Sequence, residues 1–473
     1  MAMTPPLSQP LDGDSALARA EPLGPQIEPP FPSRRTAWYT VAVLMLCYTL
    51  SYADRQILAF LVTPIKHDLQ VTDTAVGLLQ GFAFAAFYTF FGLPLGALAD
   101  WTNRRNLILV GLVLWSAATS ASSIAGSFAA LALARTAVGI GEATLSPAGF
   151  SMITDSFPKE RLSSALSVYT MGIQVGSGLA LLIGGIVVQA VAQHPSINVP
   201  LLGPLAAWRI TFLIVGLPGL AMALLLLTVK EPTRRAIRQA SGDLATARFG
   251  DVLEQIISRW RSVVGLALMI ASQATCNYAL LAWGPTFFER IHHWPRDRTG
   301  IMLGLMTLGC GCLGLLAGGG LADRWQRRGV TDAGLRVGLI SLVGVASTLS
   351  PAMLLHSAPA TVALLAPAVF FIGLPIGSGY AAVQIIFSNR ARGLVSAIII
   401  FAVALIGLVL GPLLPALFSD HWFHDPQRIG DGIALTVALA SAVGILAVLP
   451  TRAHYRADYR AAVHPASIAS GSH

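Results

Sequence analysis

Two short stretches place ionisable side chains inside apolar sequence: Tyr52-Ala-Asp54-Arg55 and Arg135-Thr-Ala-Val-Gly139-Ile-Gly141-Glu142-Ala-Thr-Leu-Ser146. Charge in hydrocarbon is costly, so each such residue is a functional candidate by default. Arg135, Gly139, Glu142 and Ser146 recur at i, i+4, i+7 and i+11, which is one face of a helix. That face must point into the protein or a water-filled cavity. A buried carboxylate beside an arginine feels two opposed influences: desolvation favours the neutral acid and the arginine favours the anion. An arginine that moves between two conformations would switch the carboxylate between those forms, which is the chemistry of proton coupling. Glu142 is the first candidate for proton carrier and Asp54 the second. Arg55 and Arg135 are the switching partners or the anchor for a substrate anion. A static ion pair joining two helices is the weaker reading, because such pairs stabilise poorly after desolvation.

The elements that must hold these residues follow from composition. Hydrophobic residues make up 54% of the 473 and charged residues 11%, against roughly 25% charged in soluble domains. Mean hydropathy is +0.67. Apolar runs of about 20 residues match a hydrocarbon core of about 30 Å. Twelve are predicted, at 38–64, 75–99, 106–127, 128–153, 162–191, 208–229, 262–288, 299–322, 334–355, 359–386, 394–418 and 432–449. The expectation is an all-α membrane protein of two six-helix bundles, 36–229 and 262–455. Residues 1–35 form a disordered tail, 230–261 a linker with an amphipathic helix near 245–261, and 456–473 a second tail. Trp283-Gly284-Pro285 is expected to break the seventh span.

Basic residues cluster in alternate loops, including Arg104, Arg105, Lys159, Arg234, Arg327 and Arg390. That side is expected to be cytoplasmic, with both termini inside a cell membrane, read as a bacterial inner membrane. The net charge of +8 is thereby a topology signal, and no nucleic-acid partner is expected. The four cysteines, in apolar runs, read as packing residues, with no metal spacing. No phosphate-binding loop for ATP and no nucleophile–base pair is present, so neither an ATP-driven pump nor a membrane enzyme is expected. A channel would not require a titratable carboxylate beside arginine.

At Asp54, at a rise of 1.5 Å per residue, the depth is roughly 15 Å from the outer end of its span; Arg135 lies roughly 12 Å from the outer end of its own. An Asp54–Arg135 or an Arg55–Glu142 contact is therefore open. Asp54 and Arg55 point about 100° apart and cannot both face one partner. Substrate-cavity candidates are Tyr52, Tyr88, Ser146, Gln174, Asn277 and Tyr278, with Asn277 at the repeat position of Asp54.

A loop is duplicated. Gly96-Ala-Leu-Ala-Asp100-Trp-Thr-Asn-Arg104-Arg105 closes the second span and Gly319-Gly-Leu-Ala-Asp323-Arg-Trp-Gln-Arg327-Arg328 closes the eighth. The spacing marks two repeats. Glycine allows close helix approach, aspartate suits a helix N-terminus, and the arginines suit carboxylates on the neighbouring bundle. The set Gly96, Asp100, Arg104, Arg105, Gly319, Asp323, Arg327 and Arg328 reads as a cytoplasmic gate latch.

This duplicated loop resembles the signature of the major facilitator superfamily, which implies two six-helix bundles and alternating access. The Tyr52–Arg55 segment, the Arg135–Glu142 segment and Asp155-Ser-Phe-Pro158-Lys-Glu-Arg161 together resemble its Spinster-like branch. That resemblance implies proton-linked export of lysolipids or sphingosine phosphate, with the charge cluster on Asp54, Arg55, Arg135 and Glu142. The glycine-rich fifth span, Gly172 to Gly185, is similar to that of antiporters, although its usual Gly-Pro is absent. The expected protein is thus a monomeric secondary transporter using protons and no other cofactor. Its partners are membrane lipids and a small-molecule or lipid substrate. A proton-coupled importer of an organic anion such as a sugar acid, or a drug/proton antiporter, is the alternative.

Overall fold

The computed structural model describes residues 30–194, 196–200, 203–234, 249–387 and 392–463. Twelve helical spans are long and apolar enough to cross a membrane: Arg34–Phe60, Asp73–Trp101, Arg104–Ile124, Phe128–Ser156, Ser164–Ala192, Ala207–Leu227, Trp260–Ile291, Arg296–Arg327, Ala333–Ala352, Ala358–Val383, Ala402–Trp422 and Pro426–Ala462. Among the described residues these correspond to the twelve predicted spans, most ends lying within five residues of the prediction, but span 11 starts eight residues later and span 12 ends thirteen later. Span 12 belongs to a helix that continues to Val463. The predicted break in span 7 does not occur: Trp260–Ile291 is one helix with Pro285 inside it. Buried packing holds it, because Trp283 is fully buried and its indole N–H donates to the Pro412 carbonyl of span 11 at 2.7 Å. Tertiary contacts here override the local cost of proline.

Helix starts are capped as the sequence invites. Asn103 accepts from the Asn106 N–H at the start of span 3, and Ser127 accepts from Ala130 at the start of span 4. Each removes one of the unpaired N–H groups of a first turn. Between spans 5 and 6 a hairpin pairs β1, Ser196–Val199, with β2, Gly203–Ala206. The linker helix Phe249–Ser258 lies just ahead of span 7; residues 245–248 of the expected amphipathic segment, and Arg390, lie outside the described residues.

Spans 1–6 and 7–12 form two bundles whose cores are arranged unequally at the two ends. Toward the arginine-rich loops, hereafter the basic end, one buried cluster belongs to the first half except for Leu408, and another belongs to the second half alone. At the opposite end a single cluster runs through both halves, from Ile57, Phe60 and Leu79 to Trp283, Phe287 and Leu303. The halves are therefore sealed together at the opposite end.

Close helix approach makes that seal. Span 5 lies on span 8 through Gly178, Gly185, Gly300 and Gly304; a Cβ on Gly300 would meet the Leu181 carbonyl at 2.4 Å. Span 2 lies on span 11 in the same way, where a Cβ on Gly77 would meet the Pro412 carbonyl at 2.9 Å. Gly172 and Gly176 instead admit span 1, against Met45 and Thr49. The glycine pattern of span 5 thus serves both an intra-half contact and the contact between halves.

Candidate functional site

Span 1 is α-helical to Gln56 and tightens to a 3₁₀ turn over Ile57–Phe60. Just before that turn the Ser51 and Arg55 side chains face the fourth span. Arg55 makes two bonds to one oxygen of Glu142, from Nη2 at 2.6 Å and from Nε at 2.7 Å. The same Oε2 accepts from the Ser51 hydroxyl at 2.6 Å. Of the two contacts left open by depth, Arg55–Glu142 is the one formed between side chains. Arg135 instead donates from Nη1 to the backbone carbonyl of Asp54 at 3.3 Å. The Asp54 carboxyl is buried beside Thr119, within electrostatic reach of Arg135 and Glu142. The two adjacent residues do point apart, as helix geometry requires.

The Arg55 guanidinium sits in an aromatic cage. Its carbon lies 4.8 Å from the Tyr52 ring centre, 4.4 Å from Phe84 and 4.8 Å from Tyr88. Cation–π attraction of this kind is strongest when the cation is desolvated, and the Arg55 side chain is 11% exposed. Ser146, on the predicted face, donates to the Tyr48 hydroxyl at 3.3 Å and lies 3.5 Å from that of Tyr88.

A cavity of about 220 Å³ opens between the halves, lined by Tyr52 and Ile173 from the first and by Met269, Ile270, Gln273, Asn277, Tyr278 and Ile372, among others, from the second. Most of this wall is apolar; its polar groups are two amides and two phenols. A smaller cavity adjoins it, sharing Tyr52 and Tyr278 and lined also by Arg55, Gln56, Gln80, Phe84 and Arg135. The predicted cavity residues Tyr52, Asn277 and Tyr278 come together here. Tyr88 and Ser146 stand one layer behind, supporting Arg55. Gln174 faces Gly311 of span 8, with its amide nitrogen 3.6 Å from where a Cβ would sit.

The duplicated loop takes a different arrangement from a latch between bundles. Arg104 is buried and bonds to its own half, at Asp155 (2.5 Å) and Ser151 (2.8 Å), and to the start of the linker, at Glu231 (2.7 Å) and the Pro232 carbonyl (2.9 Å). The Arg105 side chain reaches the Leu227 carbonyl at 3.2 Å. Gly96 packs on Pro147 of span 4, and Asp100 is exposed. In the second half Gly319 meets nothing, and Asp323, Arg327 and Arg328 line an open groove. The basic end is open between the halves in this conformation, the state in which such a latch would be broken, and among the described residues no carboxylate of the opposite bundle is paired with these arginines.

Ser51, Gln56 and Gln80 were not among the candidates. Ser51 carried a signal, standing three residues before Asp54 and four before Arg55 on the same helix. Gln56 and Gln80 are polar residues in apolar runs, a weaker signal without depth to rank them.

Residues 44–412 match the Major Facilitator Superfamily. An MFS-type efflux pump of Mycolicibacterium smegmatis is 30% identical over 439 residues, covering 90% of this chain and 94% of the relative. A sphingosine-1-phosphate transporter of Mus musculus is 28% identical over 320 residues; that match covers 64% of this chain and 55%, about half, of the relative. A bacterial homologue of the human lysosomal transporter Spinster, solved inward-facing and unoccupied, superposes with a TM-score of 0.75 at 24% identity, over 91% of this chain and 98% of that one. The motif resemblance and the fold thus agree, and with residues 44–412 matching its model the chain belongs to the major facilitator superfamily.

Proposed function

We propose that this chain is a proton-coupled secondary transporter that exports an amphipathic lipid bearing a charged head group. The carrying observation is the Arg55–Glu142 pair, buried at 2.6 Å, beside a mainly apolar cavity shared by both halves. A polar head at the pair with a tail along Ile173, Met269, Ile270 and Ile372 matches an amphiphile better than a fully polar solute.

Charge balance supports antiport. Asp54 and Glu142 against Arg55 and Arg135 sum to zero when both carboxylates are ionised. A zwitterionic head splits the Arg55–Glu142 pair, its phosphate taking Arg55 and its ammonium taking Glu142. A proton on Glu142 competes with that ammonium, so proton and lipid bind in turn. Alternating access then exchanges one for the other. The arginine-rich end is the cytoplasmic one in this reading, which makes the present conformation inward-open. The M. smegmatis relative, named an MFS-type efflux pump, favours a second reading, drug/proton antiport by the same exchange, for which a lipophilic cation is the probe.

The test is proton movement in proteoliposomes holding a trapped pH dye, with sphingosine phosphate, a lipophilic cation and a sugar acid added in turn. Proton release driven by sphingosine phosphate in the wild type, absent in Glu142→Gln, supports the proposal. Response to the lipophilic cation alone selects the second reading. Response to the sugar acid alone, or labelled flux with no proton movement, overturns both.

A further inference from the structure

Buried polar atoms without a hydrogen-bond partner among the described residues gather around one small cavity. Gln56 Nε2, Gln80 Nε2 and Oε1, and Arg135 Nε are all of this kind, and Glu142 Oε1 is another one helical turn or two away. Gln56 is 8% exposed and Arg135 2%. Three of these residues, Gln56, Gln80 and Arg135, line the cavity that adjoins the substrate space. An unpaired buried polar group costs on the order of 1–3 kcal/mol. Several together at one place point to a shared partner.

The size of the space selects that partner. The cavity measures about 30 Å³, and a buried water requires on the order of 10–15 Å³ of such space with two to four polar neighbours. Two waters fit while the Arg55–Glu142 pair is formed. The donors on Gln56, Gln80 and Arg135 and the acceptor on Gln80 complete the bonding of two waters.

Position gives those waters a role. Gln56 directly follows Arg55, the partner of Glu142. Gln80 ends the helix Asp73–Gln80, roughly 10 Å from Asp73 along its axis. Gly81, next to it, packs on the Leu408 and Val409 carbonyls of span 11, and Leu408 and Pro412 line the same cavity. The cavity therefore lies between the charge cluster and the seal at the opposite end.

We propose that Gln56 and Gln80 hold a two-water relay that carries protons between the Asp54–Glu142 cluster and the sealed end when that end opens. This rests on proton coupling as read above. In each hop one water gives a proton to the next and takes one from behind, so one O–H bond breaks as another forms; Arg55 and Arg135 stand between the cavity and the carboxylates, so the last transfer to a carboxylate oxygen follows when Arg55 leaves Glu142. Arg135 and Arg55 bound the relay, and the phenols of Tyr52 and Tyr278 close its side toward the substrate space. The two glutamines are positioning residues: they place water and exchange no proton themselves.

A substrate-free measurement tests this. Full-length protein in lipid is moved rapidly from H₂O to D₂O buffer at several pH values. The C=O stretch of the buried carboxylic acid is followed by infrared difference spectroscopy. Wild type should show a band that Glu142→Gln removes. Gln56→Met with Gln80→Met, which keeps side-chain length, should retain the band and slow its isotope shift about tenfold, a barrier change near that of one lost hydrogen bond. Gln56→Asn with Gln80→Asn, which keeps the amides, should recover part of the rate. An unchanged rate in the double methionine variant overturns the relay, and so does loss of the band in that variant, which marks a structural role. A wild type with no such band at any pH overturns the proton-carrier reading itself.

Discussion

Asp73 at the start of span 2 and Arg290 at the end of span 7 bond through both carboxylate oxygens, at 2.7 and 2.8 Å. The Asp73 side chain is fully buried, and Lys66 adds a third bond at 2.6 Å. The pair joins the halves where their cores merge, so it must part before that end opens. Thr74 and Asp420 repeat the arrangement between spans 2 and 11, with the Thr74 N–H and hydroxyl both donating to Asp420 at 2.6 and 2.7 Å.

Arg290→Leu should therefore favour the conformation open at this end. Removing one partner of a buried pair costs about 3–5 kcal/mol, reduced here because Lys66 stays. The open population should rise at least about tenfold, equivalent to about 1.4 kcal/mol. A cysteine at position 277, in a chain lacking its four native cysteines, reports this through labelling by an impermeant maleimide. Unchanged labelling would mean that the apolar seal alone holds the end shut. Reversal of both charges, Asp73→Arg with Arg290→Asp, should restore closure in part.

Gly300→Val should act in the same direction by sterics. Its Cβ would fall 2.4 Å from the Leu181 carbonyl and 2.9 Å from the Gly185 Cα, and helix backbone cannot yield locally. Transport should be lost while the protein still folds, because the strain disappears once spans 5 and 8 separate. Size-exclusion behaviour with wild-type helicity, together with maleimide labelling from that end, checks the separation. A variant that transports normally would show that spans 5 and 8 do not pack this closely.

Glu142→Gln keeps shape and the Ser51 bond but removes the charge that Arg55 answers. Net proton-driven flux should fall more than about tenfold, the scale of a lost acid–base group. Labelled exchange across the membrane at equal pH should persist at raised substrate concentration, because the head group keeps Arg55 and loses only its ammonium partner. Loss of both activities at every concentration would assign Glu142 to folding instead.

Arg104→Ala should destabilise the first half without touching the cavity. It removes the guanidinium paired with Asp155, with Arg104 1% exposed and Asp155 3%, and loses the bond to Glu231; a buried pair broken in this way costs up to about 3–5 kcal/mol. A lower thermal midpoint in detergent, with wild-type substrate affinity in the surviving fraction, is the expected result. A weakened affinity at unchanged midpoint would return Arg104 to the gate.

Asp332, before span 9, accepts from Arg336 at 3.1 Å, Arg452 at 2.7 Å and Arg456 at 2.9 Å. Burial raises its carboxyl, but bonds from Arg456 and Arg452 and the charges of Arg452 and Arg336 outweigh this and hold it below the usual carboxylate range. A depressed folded value means that the stabilisation is complete above the unfolded value of about 3.9 and fades as pH falls through the folded one. The midpoint deficit of Asp332→Asn should be constant from about pH 8 to 5 and shrink below about pH 4. A deficit that varies across the upper window would point to another group.

Twelve spans, two repeats and the charge cluster were legible because each has a local cause. Apolar runs are written residue by residue, the duplicated loop is a direct match of letters, and helical spacing alone puts Arg135, Glu142 and Ser146 on one face. Span 7 was misjudged for the opposite reason: Pro285 is a local signal, while Trp283 and its bond to Pro412 belong to a contact 129 residues away.

By itself, then, the sequence determined the membrane class, the number of spans and which ionisable side chains must be sheltered from lipid, since transfer costs act on each residue wherever it sits. Only the tertiary structure decided that Arg55 rather than Arg135 holds Glu142, that Arg104 serves its own half, and that the halves are sealed at one end and parted at the other. Those outcomes depend on how helices rotate and lean against partners far along the chain. Alternating access requires that two such packings of one sequence lie close in energy, so the linear pattern of residues is common to both and cannot choose between them.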